Sequence, residues 1–127
     1  MLKIPSLLVV LLLLLSACSS KTFTFSGESK NWQAILKVTQ NDDGHEEQEF
    51  ELHYKGNDIK TVGEITYDVD TNAGGFGISG ATLDKNGLTK NTAEANPTNA
   101  KIIEESEVEV TVKWNDNTEL ITLFINK

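Results

Sequence analysis

Asp42, Asp43, His45, Glu46, Glu47, Glu49, Glu51 and His53 fall within twelve residues of one another. Imidazole together with carboxylate is a donor set for Zn²⁺ and other transition ions. His45 lies beside the turn signal Asn41-Asp42-Asp43-Gly44. If the following segment is a strand, Glu49, Glu51 and His53 share one face, spaced roughly 7 Å apart. That is wide for ligands that must each approach one ion to about 2 Å, and a solvated acidic hairpin accounts for the same pattern. A second run, Asp68-x-Asp70-x-Asn72-x-Gly74, spaces oxygen donors like the first half of a calcium loop. Its twelfth position is Ser79 rather than Glu, and Ala73 stands where the tight turn wants glycine. Asp68, Asp70 and Asn72, or the cluster around His45, are the candidate Ca²⁺ or Zn²⁺ ligands. The competing reading of the second run is a strand with a polar face entering a turn. Glu104, Glu105, Glu107 and Glu109 form a third acidic run, suited to solvation, to protecting a sheet edge, or to docking a basic protein. Two histidines, no nucleophile elbow, no P-loop and no dinucleotide fingerprint argue against an enzyme. No resident cofactor is expected beyond the candidate metals.

The only cysteine closes Leu15-Ser16-Ala17-Cys18, after nine Leu and Val residues from Leu7 to Leu15 and a positive start at Lys3. A charged start, a short apolar run and small residues at its end describe a secretory leader. The run is far below the ~20 residues that span a bilayer. The Leu-Ser-Ala-Cys ending resembles the lipobox of bacterial lipoproteins. That resemblance implies cleavage before Cys18, thioether lipidation of Cys18 and attachment of the mature chain to a membrane. A lone cysteine in a secreted chain has no internal disulfide partner, and lipidation would occupy its thiol.

Removal of residues 1–17 leaves 110 of the 127 residues, enough for one domain with a modest core. The chain has 11 Lys and no Arg; loss of Lys3 leaves 10 basic against 19 acidic side chains, a net charge of −9. Such a surface repels nucleic acid and anionic headgroups and favours cationic partners, divalent ions or plain solubility. Lysine without arginine, with abundant Asn and Ile, is the usage of AT-rich genomes and points to a Firmicute. The expected location is then the extracellular face of the cell membrane, with an envelope protein or wall component as partner.

Alternating apolar residues predict strands. They recur at Phe23 and Phe25; at Trp32, Ala34, Leu36 and Val38; at Phe50, Leu52 and Tyr54; and at Val62, Ile65, Tyr67 and Val69, with Gly63 as a bulge site. A fifth strand runs from Phe76 towards Leu83. Val108, Val110, Val112 and Trp114, then Ile121, Leu123 and Ile125, predict a C-terminal hairpin turned at Asn115-Asp116-Asn117-Thr118. Thr89 to Asn99, with Pro97, reads as a long polar loop. About seven short strands with frequent turns indicate an all-β fold, an antiparallel immunoglobulin-like β-sandwich, with a small barrel as the alternative. The organisation expected is a leader at 1–17, a lipidated Cys18 and tether over 18–21, and one β domain over 22–127. Trp32 and Trp114 fall on apolar faces, as core residues would.

Several segments in order resemble small Bacillus-type membrane lipoproteins. They are Gly27-Glu28-Ser29-x-Asn31-Trp32, the glycines Gly74, Gly75, Gly77 and Gly80, Leu83-Asp84-Lys85-Asn86-Gly87, Val108-Glu109-Val110-Thr111-Val112-Lys113-Trp114-Asn115, and Glu119-Leu120-Ile121-Thr122-Leu123. The turn Asn115-Asp116-Asn117 departs from the Asn-Gly turn expected there. The resemblance implies an envelope location and an all-β domain, and carries no mechanism.

Overall fold

The computed structural model describes residues 20–126. The expected leader and Cys18 lie outside the described residues. Eight strands follow in chain order: β1 (Lys21–Glu28), β2 (Trp32–Gln40), β3 (Glu46–Tyr54), β4 (Ile65–Thr71), β5 (Gly74–Ala81), β6 (Leu88–Ala95), β7 (Val108–Trp114) and β8 (Asn117–Ile125). One 3-10 turn, Ile59–Thr61, precedes β4. The strands form a single antiparallel sheet in the order β5-β4-β7-β8-β1-β2-β3-β6, nearly closed into a barrel.

The all-β antiparallel architecture follows the alternation in the sequence. Among the described residues the strands number eight rather than about seven. One curled sheet stands where two stacked sheets of an immunoglobulin-like sandwich were expected. The junction is β1, which pairs with β2 along its length and with β8 at Phe25↔Ile125 and Ser26↔Phe124. Gly27 makes this junction possible. A Cβ placed there would lie 2.2 Å from the backbone oxygen of Thr122, so any side chain would force β1 and β8 apart.

Three local expectations are corrected. Thr89 to Asn99 is not one loop, because Leu88–Ala95 forms β6 and pairs with β3 from His53↔Leu88 to Glu46↔Ala95. Val62 lies before β4, and Gly63 (φ +69°) turns the chain rather than bulging it. The irregularity sits in β5 instead, where Ile65↔Ala81 and Tyr67↔Ile78 leave an extra residue around Ser79 and Gly80 (φ +76°). The C-terminal hairpin turns on Asn115 (φ 45°) and Asp116 (φ 61°). Positive φ at both central residues is the type I′ geometry that suits twisted strands, reached here with Asx residues and no glycine.

Inward positions fill the barrel with buried side chains, among them Phe25, Leu36, Phe50, Leu52, Tyr67, Val110, Ile121 and Leu123. The Phe50 ring meets Tyr67 at 5.1 Å and Phe76 at 6.1 Å, across the interior. One end is sealed by rings: Trp32 stands 5.2 Å from both Trp114 and Tyr54. At the other end, residues 96–107 fold back and bury Ile102. The chain enters the barrel at this second end, where Lys21 pairs in register with Gln40 and forms an ion pair with Glu104.

Candidate functional site

The cluster around His45 is resolved into three environments. The β2–β3 turn is closed by Gly44 N donating to Asn41 O at 3.1 Å, with Gly44 at φ +88°. Within it, Asp43 Oδ1 accepts from His45 N at 3.0 Å and lies 3.1 Å from His45 Nδ1. These hydrogen bonds to His45, backbone first, hold the Asp43 carboxyl below its ordinary value. Glu47 and Glu94 line the same shallow cavity of about 340 Å³. Further along β3, Glu49, Glu51 and His53 do share the outward face. Glu49 meets Lys37 at 3.7 Å, and Glu51 meets Lys90 at 4.0 Å. Both are exposed pairs of small energetic worth.

Glu46 behaves differently from its neighbours. It is 1% exposed. Its Oε1 accepts from Gln40 Nε2 at 2.7 Å and from Ile102 N at 3.1 Å, and its Oε2 accepts from Gln48 Nε2 at 2.7 Å. Gln40 Nε2 also donates to Ile102 O at 2.8 Å. A buried carboxylate without donors would be costly; here its donors are the groups that fix the Ile102 plug. Glu46 is a closure residue, and the parity of β3 carries the signal for it. Glu46, Gln48, Phe50, Leu52 and Tyr54 alternate on one side, so an inward Phe50 dictates an inward Glu46.

The second candidate run divides in the same way. Asp68 and Asp70 project outward from β4, exposed and two residues apart. Asn72 lies beyond the strand and clamps the long loop: its Nδ2 donates to Lys101 O at 3.0 Å, and its Oδ1 accepts from Ile103 N at 3.1 Å. Of the candidate set Asp68, Asp70 and Asn72, the two aspartates therefore lie on the outward strand face while both polar side-chain atoms of Asn72 are engaged by the loop. Among the described residues, no three His, Cys, Asp or Glu side chains gather closely enough to hold a metal ion.

Near the aromatic end, Glu119 gathers three donors. Ser29 Oγ donates to its Oε1 at 2.5 Å, Asn31 N to its Oε1 at 3.0 Å, and Asn31 Nδ2 to its Oε2 at 2.5 Å. Burial raises its pKa; the hydrogen bonds from Ser29 and Asn31 outweigh that and hold the carboxyl below its ordinary value. This network ties the β1–β2 turn to β8. Trp32 Nε1 is buried there without a hydrogen-bond acceptor, and the rings of Tyr54 and Trp114 are its nearest aromatic surroundings.

On the outer face of β8, Leu120 and Phe124 are exposed, at 61% and 57%. Across the sheet the register gives two rows. Leu120, Thr111, Asp68 and Gly77 lie in one; Thr122, Glu109, Asp70 and Gly75 lie in the next. This acidic face with bare glycines at its edge was not anticipated as a unit, because it depends on pairings between segments distant in sequence. Comparisons of the chain with protein families, with curated proteins and with solved structures returned no match.

Proposed function

We propose that the chain is a lipoprotein of the bacterial cell envelope, defined by its anchor: acylated at Cys18, held on the extracellular face of the membrane, and carrying one β domain as a non-catalytic binding or structural accessory module. The observation that carries this reading is Leu15-Ser16-Ala17-Cys18 at the end of a nine-residue Leu/Val run. It resembles a lipobox in both composition and position. Strand β1 starts at Lys21, three residues beyond Cys18. At 3.3–3.6 Å per extended residue, that tether spans only about 10 Å. An anchored domain would therefore rest with the Ile102 end towards the bilayer and the aromatic end away from it. Two or three acyl chains, at ~0.8 kcal/mol per buried methylene, would hold a domain of this size firmly.

The reading is tested by expressing the full chain and its Cys18→Ala variant in a Gram-positive host supplied with radiolabelled palmitate. Label on the wild type, none on the variant, and detergent-phase partition of the wild type alone are expected. Equal labelling of the two proteins, or release of the unlabelled wild type into the medium, would refute it.

A further inference from the structure

We propose that β5 is a docking edge for an extended cationic peptide segment of a partner protein, which adds as a further strand and sets Lys or Arg side chains against Asp68 and Asp70. This gives a partner chemistry to the binding-module reading above and rests on it.

The first observation is the unequal protection of the two sheet edges. β5 and β6 end the strand order, and β5 pairs only with β4. The side of β5 away from β4 borders the seam at which the barrel stays unclosed; Gly74, Gly75, Gly77, Ser79 and Gly80 are exposed there, and the strand presents main-chain N–H and C=O groups to an added strand. Exposed edges are usually blunted by charge, proline or a bulge. β6 carries Lys90 and Glu94, whereas residues 73–83 contain no charged residue and no proline in a chain that is 24% charged. The one irregularity in β5 lies around Ser79 and Gly80. Gly74 to Ile78 remain in regular register with Thr71 to Tyr67.

The second observation is what stands beside this edge. On its outer face β5 offers Gly75 opposite Asp70 and Gly77 opposite Asp68. A Cβ at Gly77 would lie 2.3 Å from Asp68 Oδ1 and 2.8 Å from Tyr67 O, and one at Gly75 would lie 2.7 Å from Val69 O. Glycine is thus enforced by the close approach of β4, and the Asp68 carboxylate lies over bare backbone. An added strand would sit two strand spacings, about 9.6 Å, from β4. An extended Lys or Arg can cross that distance over glycine, where an intervening side chain would obstruct it.

Charge selects the occupant. Asp70 stands directly opposite Glu109 on β7, a cross-strand pairing of like charges that disfavours the empty face. Among the described residues, no lysine reaches ion-pair distance of Asp68, Asp70 or Glu109. On the inner side, Phe76 and Ile78 are only partly buried against the core. A segment alternating basic and apolar residues would answer both faces. A second copy of this chain fits poorly, since each carries a net charge of −8 and pairing β5 with β5 would bring two sets of aspartates together.

The test uses the full chain in detergent micelles with two blocked peptide probes, (Val-Lys)₄ and (Val-Glu)₄, read by amide hydrogen exchange resolved to residues. Expected are slowed exchange at the β5 amides between Gly74 and Ile78 with the lysine peptide, no slowing with the glutamate peptide, and weakening by salt. Asp68→Asn combined with Asp70→Asn, at exposed positions, should weaken binding by about three- to tenfold. Equal protection by both peptides, protection elsewhere than β5, or undiminished binding to the double variant would overturn the proposal. Acylation of Cys18 is scored separately, so failure here is distinguishable from failure of the anchoring.

Discussion

The two ends of the barrel are closed by different physics. The end where the chain enters is plugged by a loop from far along the sequence, with Ile102 held through the buried carboxylate of Glu46. The opposite end is closed by strand residues themselves, Trp32, Tyr54 and Trp114, whose rings meet at about 5 Å. A ring seal draws on area removed from water and on edge-to-face contact. A polar plug draws on complete satisfaction of donors and acceptors, and one missing partner leaves the rest orphaned. The first fails in proportion to what is cut away, the second all at once.

Substitutions separate the two. The largest effect is expected at the aromatic end: Trp32→Ala removes a side chain that is 0% exposed and should cost about 3–5 kcal/mol in denaturant unfolding. Trp32→Phe sharpens the point. It also removes a buried N–H that has no acceptor, so its cost should fall well below that of the alanine variant. At the plugged end, Glu46→Ala leaves the Gln48 amide and the Ile102 N–H without their acceptor. A loss of about 2–4 kcal/mol is expected, with exchange at Ile102 and Ile103 rising first as the loop lifts.

A smaller effect separates the ends by pH. Glu119 has a folded pKa below its ordinary value. Its contribution is therefore complete above the unfolded value, near pH 4.3, and is lost as pH falls through the folded value. Its partial exposure keeps that contribution to about 1 kcal/mol. Glu119→Gln should flatten the acid limb of stability measured between pH 2 and 5 and move neutral stability little. The smallest effect concerns metal. Neither at the His45 cluster nor at Asp68, Asp70 and Asn72 do three His, Cys, Asp or Glu side chains gather closely enough to hold an ion among the described residues, so Ca²⁺ or Zn²⁺ at millimolar concentration should shift the Tm by less than about 1 °C. A site occupied at 100 times its Kd would add about 2.7 kcal/mol, several degrees in a domain of this size.

The parts of the fold legible in the sequence are those where one strand carries its own evidence. β2, β3, β7 and β8 alternate apolar and polar residues, and that alone locates them. β6 is not legible because its inward-parity positions, Thr89, Asn91, Ala93 and Ala95, are small or polar at the unclosed seam and give no hydrophobic period. The choice between sandwich and barrel was not local either. Alternation is the same in both, and Phe25↔Ile125 pairs residues a hundred positions apart. The acidic hairpin was legible as a charged outward face, whereas Glu46 was grouped with its neighbours by charge although its parity set it inside. Asp68 and Asp70 were visible as a pair, but the glycines beside them gained meaning only with the register of β4 on β5.

The difference between the ends also carries the account's central claim, that a short tether from Cys18 sets one end against the membrane. β2, with nine residues, spans about 30 Å at ~3.3 Å per residue, so the two ends stand at distinguishable depths. The most direct measurement places a fluorophore on Glu105→Cys, in the plugging loop, or on Asn57→Cys, beyond β3, in the lipidated protein. Quenching by headgroup spin-labelled lipid is then compared. The account predicts strong quenching at position 105 and little at position 57. Equal quenching at both positions, or stronger quenching at 57, would contradict it.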